Sequence, residues 1–389
     1  MRLTKLFNDF FESEKGGVLL IVCTIISLLL ANSSLSESYL NFWHFTFAGL
    51  STENWINEGL MAIFFFLIGL ELKREIFVGE LSNVKSAMLP VFAAIGGMLI
   101  PAAIYAFFNY GTATQSGAGI PMATDIAFAI GILSLLGNRV PASLKILLTA
   151  IAVIDDLGAI LVIAIFYTTS LSLINLLIVL AIFVALLLLN KFKINFLIFY
   201  IIGGIAMWYF MLHSGVHSTL AGILLAFAIP FDKGEKTSLS YKLQDWLHKP
   251  VALIILPLFA LANTAIVFGK GWDTGLAEPG SLGIFAGLIV GKPLGVFLFS
   301  FAAVSTGVCT LPLGLKWKQV LGIGFLAGIG FTMSIFITLL AYTDDIIIME
   351  SKISILLASL VSGILGYTWL HILLKKPRTI RLRKKESIY

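Results

Sequence analysis

The sequence predicts an all-α integral membrane protein of about twelve transmembrane helices, and three observations carry that prediction. Of its 389 residues 59% are hydrophobic and 12% charged, with a mean hydropathy of +0.99; soluble domains carry about a quarter charged residues. Apolar runs of about 17–25 residues, each long enough to cross a hydrocarbon core of about 30 Å as a helix, recur along the whole length. Of the 26 Lys and Arg, all but Lys270, Lys292 and Lys352 collect at alternate connections, termini included. Such a bias puts both termini in the cytoplasm.

Taken in order, the stretch MRLTKLFNDFFESEKGG places Leu3, Leu6, Phe7, Phe10 and Phe11 at the spacing of a helix lying on the membrane surface, over 1–16. It carries acids and no small-residue cleavage site, so no removable signal peptide is expected. Spans are expected at 17–33, 58–79, 86–108, 120–138, 143–168, 172–190, 195–212, 217–231, 250–268, 282–304, 318–341 and 352–374. The connection 34–57 is aromatic and free of Lys and Arg. Its Tyr39 to Phe47 section alternates as a hairpin would, serving as an aromatic belt or as a dimerisation element. The basic tail KKPRTIRLRKKESIY, 375–389, is expected to face anionic lipid of the inner leaflet.

No run is left over for a soluble domain, so residues 1–389 read as a single transmembrane domain. The net charge of +5 reflects the sidedness of the positive residues, not a nucleic-acid partner. Cys23 lies in the first apolar run and Cys309 in a polar connection, so a disulfide between them is not expected.

Four ionisable residues fall well inside spans: Asp125 in GIPMATDIAFAIGI, Asp155 and Asp156 in LLTAIAVIDDLGAILVIAIF, and Lys292 in FAGLIVGKPLGVFLF. A charge at the bilayer centre costs roughly 2.5–3.5 kcal/mol even on lenient scales, so such residues face a cavity or one another. Three acids cannot all be paired by one base, which argues against an inert ion-pair lock. Neighbours on a helix point about 100° apart, so Asp155 and Asp156 make different contacts. Gly117, Gly119 and Pro121 precede Thr124 and Asp125, and GIGFLAGIGFTMSIF, with Gly322, Gly324, Gly328 and Gly330 before Thr332 and Ser334, is interrupted in the same manner. These fourth and eleventh segments run in opposite directions. Interrupted helices in oppositely oriented halves point to an inverted-repeat transporter with its site near the midplane; close glycine packing is the plainer reading of the second one.

Carboxylates, hydroxyls and carbonyls are hard oxygen ligands suited to Na⁺ or Li⁺ as well as to protons. No Cys or His cluster suggests a transition metal, and His213 and His217 are separated by Gly215 at a helix end. Burial disfavours the ionised form of a carboxylate, whereas a nearby ammonium favours it. A site poised between these effects binds either protons or a cation, and alternate exposure of one such site to the two sides is antiport. Loss of two protons for one Na⁺ moves net charge, worth roughly 2.3 kcal/mol per 100 mV.

The strings ATDIAFAIGILSLLGNRVPASLKILLTAIAVIDDLGAILVIAIFYT, FFFLIGLELKREI, SGVHSTLAG, LPLFALAN, GKPLG and GIGFTMSIFI closely resemble the NhaA family of bacterial Na⁺/H⁺ antiporters, in order, from about residue 10 to 374. The resemblance implies a twelve-helix inner-membrane fold with crossed, unwound fourth and eleventh helices, usually a homodimer, exchanging Na⁺ or Li⁺ for H⁺ under pH control, with no cofactor. It implies that Asp155 and Asp156 are the ion-binding pair, Asp156 being the direct ligand, and that Thr124 and Asp125 sit in the unwound helix, with Asp125 balancing the facing helix ends. Lys292 matches a lysine that exchanges protons with an aspartate, and the sequence leaves open whether its partner is Asp155 or Asp125. Glu71 and Arg74 of ELKRE, with Lys249, resemble a cytoplasmic funnel where pH is sensed; an i, i+3 surface pair is the plainer reading. His217 is similar to a histidine linked to pH response, and equally suits helix-end packing. Gln244 and Asp245 stand where family members carry glutamate and histidine, which puts the pH set-point in question. Two other readings are weaker. A sodium-coupled carrier of an organic substrate has less use for an intramembrane lysine, and the YD and GxGD motifs of an intramembrane aspartyl protease are missing from TDIAFA and IDDLG.

Overall fold

The computed structural model describes residues 14–167, 171–269, 272–312 and 314–374. The surface helix expected over 1–16 lies outside the described residues up to residue 13, as do the tail 375–389 and Lys270. Helix α1 spans Glu14–Ala31. Its buried residues Leu20, Cys23, Ser27 and Ala31 recur at helical spacing, and Val18, Val22, Ile25 and Leu29 form the exposed face. One side therefore packs on protein and the other suits hydrocarbon.

The connection that follows differs from the expected hairpin. Residues Ser36–His44 form a second helix, α2, and only Thr46–Phe47 (β1) and Leu50–Ser51 (β2) pair, antiparallel. The reversal falls where Ala48 and Gly49 both take positive φ, 50° and 85°, the backbone shape of a tight hairpin turn. Phe42, Phe45 and Phe47 are exposed along this connection.

The long helices come next: α3 over Thr52–Phe77, with a π turn at Trp55–Leu60, and α4 over Val84–Asn109. A 3₁₀ run, Gln115–Met122, leads through non-helical residues 123–125 into α5, Ile126–Ser134. Then follow α6 (Ala142–Phe166), α7 (Leu173–Lys191), α8 (Leu197–Leu212) and α9 (Leu220–Ala228). The remainder comprises α10 (Leu239–Asn263), α11 (Pro279–Ser305), α12 (Trp317–Ala327), α13 (Phe331–Ala341) and α14 (Asp345–Leu373). Both α10 and α11 contain a π turn, at Val251–Ile255 after Pro250 and at Ala286–Gly291 directly before Lys292.

Among the described residues eight helices are long and apolar enough to cross a membrane, and two bent pairs raise that number to ten. The expected spans 195–212 and 217–231 are helices of 16 and 9 residues, α8 and α9. Gly215, at φ 81°, and Pro230 bound the shorter one. Lys73 of α3 secures it: its buried ammonium donates to the carbonyls of Ala226, Phe227 and Ile229 at 3.3, 2.8 and 2.6 Å, where helix α9 leaves its last carbonyls without intrahelical donors. Lys73→Met strips these bonds and is expected to cost about 1–3 kcal/mol, read as a lower melting temperature of the purified protein; an unchanged melt would mean the carbonyls find other donors.

The tightest crossing is that of α4 with α11. A Cβ on Gly295 would overlap the carbonyl oxygen of Gly96, and one on Gly96 would overlap that of Gly295. Glycine is required here by backbone contact, the small-residue packing used between helices in membranes.

Candidate functional site

The two interrupted helices meet at their breaks. In the first, the chain leaves its 3₁₀ run at Met122 and restarts at Ile126; in the second, α12 ends at Ala327 and α13 begins at Phe331, with a bend of 49°. Unwound backbone inside a membrane protein must find partners within the protein, and here each break supplies them to the other. The Asp125 N–H donates to the Ile329 carbonyl at 2.7 Å, and the Thr124 hydroxyl reaches the Ala327 carbonyl at 2.8 Å.

Asp125 caps two helices at once. Its Oδ1 accepts from the Phe128 N–H of α5 at 2.9 Å, and its Oδ2 accepts from the Thr332 N–H and hydroxyl of α13 at 3.1 and 2.5 Å. One carboxylate thus lies at the positive ends of both half-helices, where a negative charge is favoured. Ser359 of α14 adds a further cap, its hydroxyl accepting the Phe331 N–H at 3.1 Å.

The opposite charge serves the opposite ends. Lys292, fully buried, donates to the Met122 carbonyl that closes the 3₁₀ run, and pairs with Asp155 Oδ2 at 2.6 Å. This settles the choice of partner in favour of Asp155. Asp155 Oδ2 also lies 2.8 Å from the Thr124 hydroxyl, which is equally close to the Ala327 carbonyl. A hydroxyl has one proton, so Thr124 serves only one of these two acceptors at a time.

Asp156 is placed otherwise. It is 1% exposed, and neither of its carboxylate oxygens has a hydrogen-bond partner among the described residues; Asp155 Oδ1 is also without one. Buried polar groups are nearly always satisfied, so carboxylate oxygens without a protein donor are open to water, a proton or a cation. The 100° offset between neighbouring residues allows the contrast: Asp155 meets Lys292 of α11 and Thr124 of the first break, while Asp156 hydrogen-bonds to neither. Among the described residues no group of three His, Cys, Asp or Glu is gathered as for a resident metal.

The residues expected to line a pH-sensing funnel are only partly brought together. Glu71 is buried, but its partner is His248, whose Nε2 lies 3.4 Å from Glu71 Oε1. Lys249 forms no ion pair among the described residues, and Arg74 instead meets Glu75 at 3.2 Å. Gln244 is buried at the same end of α10, with its Nε2 lacking a partner among the described residues. His217 stands apart from these residues, its Nε2 3.2 Å from the Tyr167 carbonyl. Sequence reasoning missed His248; the signal available was a histidine directly before Lys249 in KLQDWLHKP.

Comparison with known proteins follows the same lines. The family model described as Na⁺/H⁺ antiporter 1 matches residues 8–370. The chain is 63% identical over 376 residues to a Na⁺/H⁺ antiporter NhaA of Flavobacterium psychrophilum, covering 96% of this chain and 98% of that one. It is 57% identical over 386 residues to a Na⁺/H⁺ antiporter NhaA of Cytophaga hutchinsonii, covering 99% and 100%. Among solved structures, the sodium proton antiporter MjNhaP1 of Methanocaldococcus jannaschii superposes with a TM-score of 0.55 over 96% of this chain and 99% of that one; at 18% identity this likeness concerns the fold alone. With nearly its whole length matched by the family model and by relatives of this identity, the chain belongs to the Na⁺/H⁺ antiporter 1 family, a family of membrane transporters and not of enzymes.

Proposed function

We propose that this protein is an electrogenic secondary transporter of a bacterial inner membrane, exchanging cytoplasmic Na⁺ or Li⁺ for external H⁺ at one site that opens alternately to the two sides. The observation that carries the proposal is the pair of bare carboxylate oxygens on Asp156 beside the Asp155–Lys292 pair, at the meeting point of two helix breaks. Hard oxygen atoms without donors suit a small hard cation or a proton, and the two compete for the same lone pairs.

In this reading Asp156 is the direct cation ligand, with Asp155 Oδ1 and the Thr124 region completing the site. When Asp155 gives up Lys292 or a proton, Thr124 turns its hydroxyl toward the carboxylate and releases the Ala327 carbonyl as a further oxygen ligand. Asp125 lies between two helix N-termini and balances them, and Lys292 balances the carbonyl end. Two protons released for each Na⁺ bound make the cycle respond to membrane potential, by roughly 2.3 kcal/mol per charge per 100 mV.

The surrounding architecture belongs to the same proposal: twelve crossings arranged as inverted repeats with the two breaks crossed, both termini cytoplasmic, the basic tail on anionic lipid, and a homodimer. The bias of Lys and Arg along the chain supports the orientation. Glu71, Arg74, His217 and Lys249, with His248 added, are proposed to adjust activity to pH. Everted vesicles energised with a proton gradient test the function. Prompt alkalinisation on adding Na⁺ or Li⁺, and none on adding K⁺, is expected across about pH 6.5–9; no response to Na⁺ or Li⁺ at any of these pH values would refute it.

A further inference from the structure

Three tyrosines from different parts of the chain converge on the first half of the first broken helix. Tyr105 of α4 and Tyr342, just beyond α13, both bring their hydroxyls to the Thr114 carbonyl, at 3.0 and 2.9 Å, and lie 2.5 Å from each other. Tyr167, following α6, donates to the Ser116 carbonyl at 2.8 Å. All three are buried.

The segment they hold is an unusual one. A 3₁₀ run of eight residues, Gln115–Met122, is longer than this geometry normally sustains, because its hydrogen bonds are poorly aligned. Its position therefore depends on outside donors. Ser334 of α13 donates to the Ile120 carbonyl at 2.7 Å, and Lys292 to that of Met122. Gly117 and Gly119 admit the phenols: a Cβ on Gly119 would sit 2.8 Å from the Tyr167 hydroxyl, and one on Gly117 would overlap the hydroxyls of Tyr105 and Tyr342. Five side chains thus fix a run whose last carbonyl faces Lys292 and whose continuation carries Thr124 and Asp125.

We infer that Tyr105, Tyr167 and Tyr342 are positioning residues for cation exchange, a phenolic clamp that sets the carbonyl end of the 3₁₀ run against Lys292 and thereby sets the affinity of the aspartate site. The clamp is redundant at one point. Tyr105 and Tyr342 make three oxygen contacts with two protons, so either can hold the Thr114 carbonyl when the other is lost. Removing one hydroxyl is therefore mild and removing both is not. The inference rests on the proposed aspartate site.

The test uses full-length protein in proteoliposomes, measuring KM for Na⁺ and maximal exchange rate for Tyr105→Phe, Tyr342→Phe, their combination, Tyr167→Phe and Gly119→Ala. Each single change at 105 or 342 is expected to raise KM about twofold or less. The double change is expected to raise it about tenfold, the loss of roughly one net hydrogen bond, with the maximal rate retained. Gly119→Ala displaces the Tyr167 hydroxyl without altering a tyrosine, and is expected to raise KM as Tyr167→Phe does. If the double variant does not fold, agreement of that second pair carries the proposal and disagreement overturns it. Unchanged KM in folded variants, or a fall in maximal rate with KM unmoved, overturns the clamp. Asp156→Asn in the same vesicles separates the two levels: exchange persisting there refutes the site on which the inference rests, whatever the tyrosines do.

Discussion

Asp156→Asn is expected to abolish Na⁺-dependent proton exchange at every pH while the protein stays folded. The substitution removes the charge and leaves the shape. Because neither carboxylate oxygen has a donor among the described residues, no native hydrogen bond is lost with it. An unpaired buried charge is a burden on the fold, so the melting temperature at alkaline pH is expected to hold or to rise. Loss of transport together with retained stability marks a residue kept for its chemistry. A variant that still exchanges at the normal rate would remove Asp156 from the proposed ligand set. A variant that fails to fold would mean the carboxylate has structural partners.

Lys292→Met is expected to behave in the contrary way, losing both transport and stability. The ammonium answers Asp155 at 2.6 Å and the Met122 carbonyl, in a site without exposure. Removing one member of a buried pair leaves the other charge uncompensated, a loss of about 3–5 kcal/mol. Adding Asp155→Asn to the same chain removes that orphaned charge, so the double variant is expected to melt well above the lysine variant although it transports nothing. Thermal melts of the purified single and double variants decide this. Additive losses would mean that the pair is not the energetic unit its geometry suggests.

The charged members of the site were legible in the sequence because an apolar run makes each of them conspicuous. Asp125, Asp155, Asp156 and Lys292 stood out by cost alone, and the glycines beside Asp125 and before Thr332 announced the breaks. What stayed hidden was chiefly backbone. The Met122, Ala327 and Ile329 carbonyls that complete the network carry no signature in residue type, and the choice between Asp155 and Asp125 as the lysine's partner needed three dimensions. The pairing of His248 with Glu71 joins α10 to α3, a contact that neither residue's own stretch of sequence signals. The connection 34–57 misled for another reason: the loose alternation of Tyr39 to Phe47 is also compatible with a short helix, and the turn itself was set by Ala48 and Gly49. The segments around α8 and α9 read as full spans from their composition, while their lengths are set by Gly215 and Pro230.

The contact of Gly96 with Gly295 bears on how the site can move. Two helices joined backbone to backbone over this crossing cannot slide past one another without steric collision, so α4 and α11 act mechanically as one strut. Lys292 rides on that strut, one helical turn from the joint. Its ammonium cannot be drawn away from Asp155 by axial travel of its own helix, so separation of the pair requires rotation about the lysine's own side-chain bonds or displacement of α6. The lysine therefore keeps its place along the strut, and the aspartate helix meets that strut at Gly158, where a Cβ would overlap Met98 of α4.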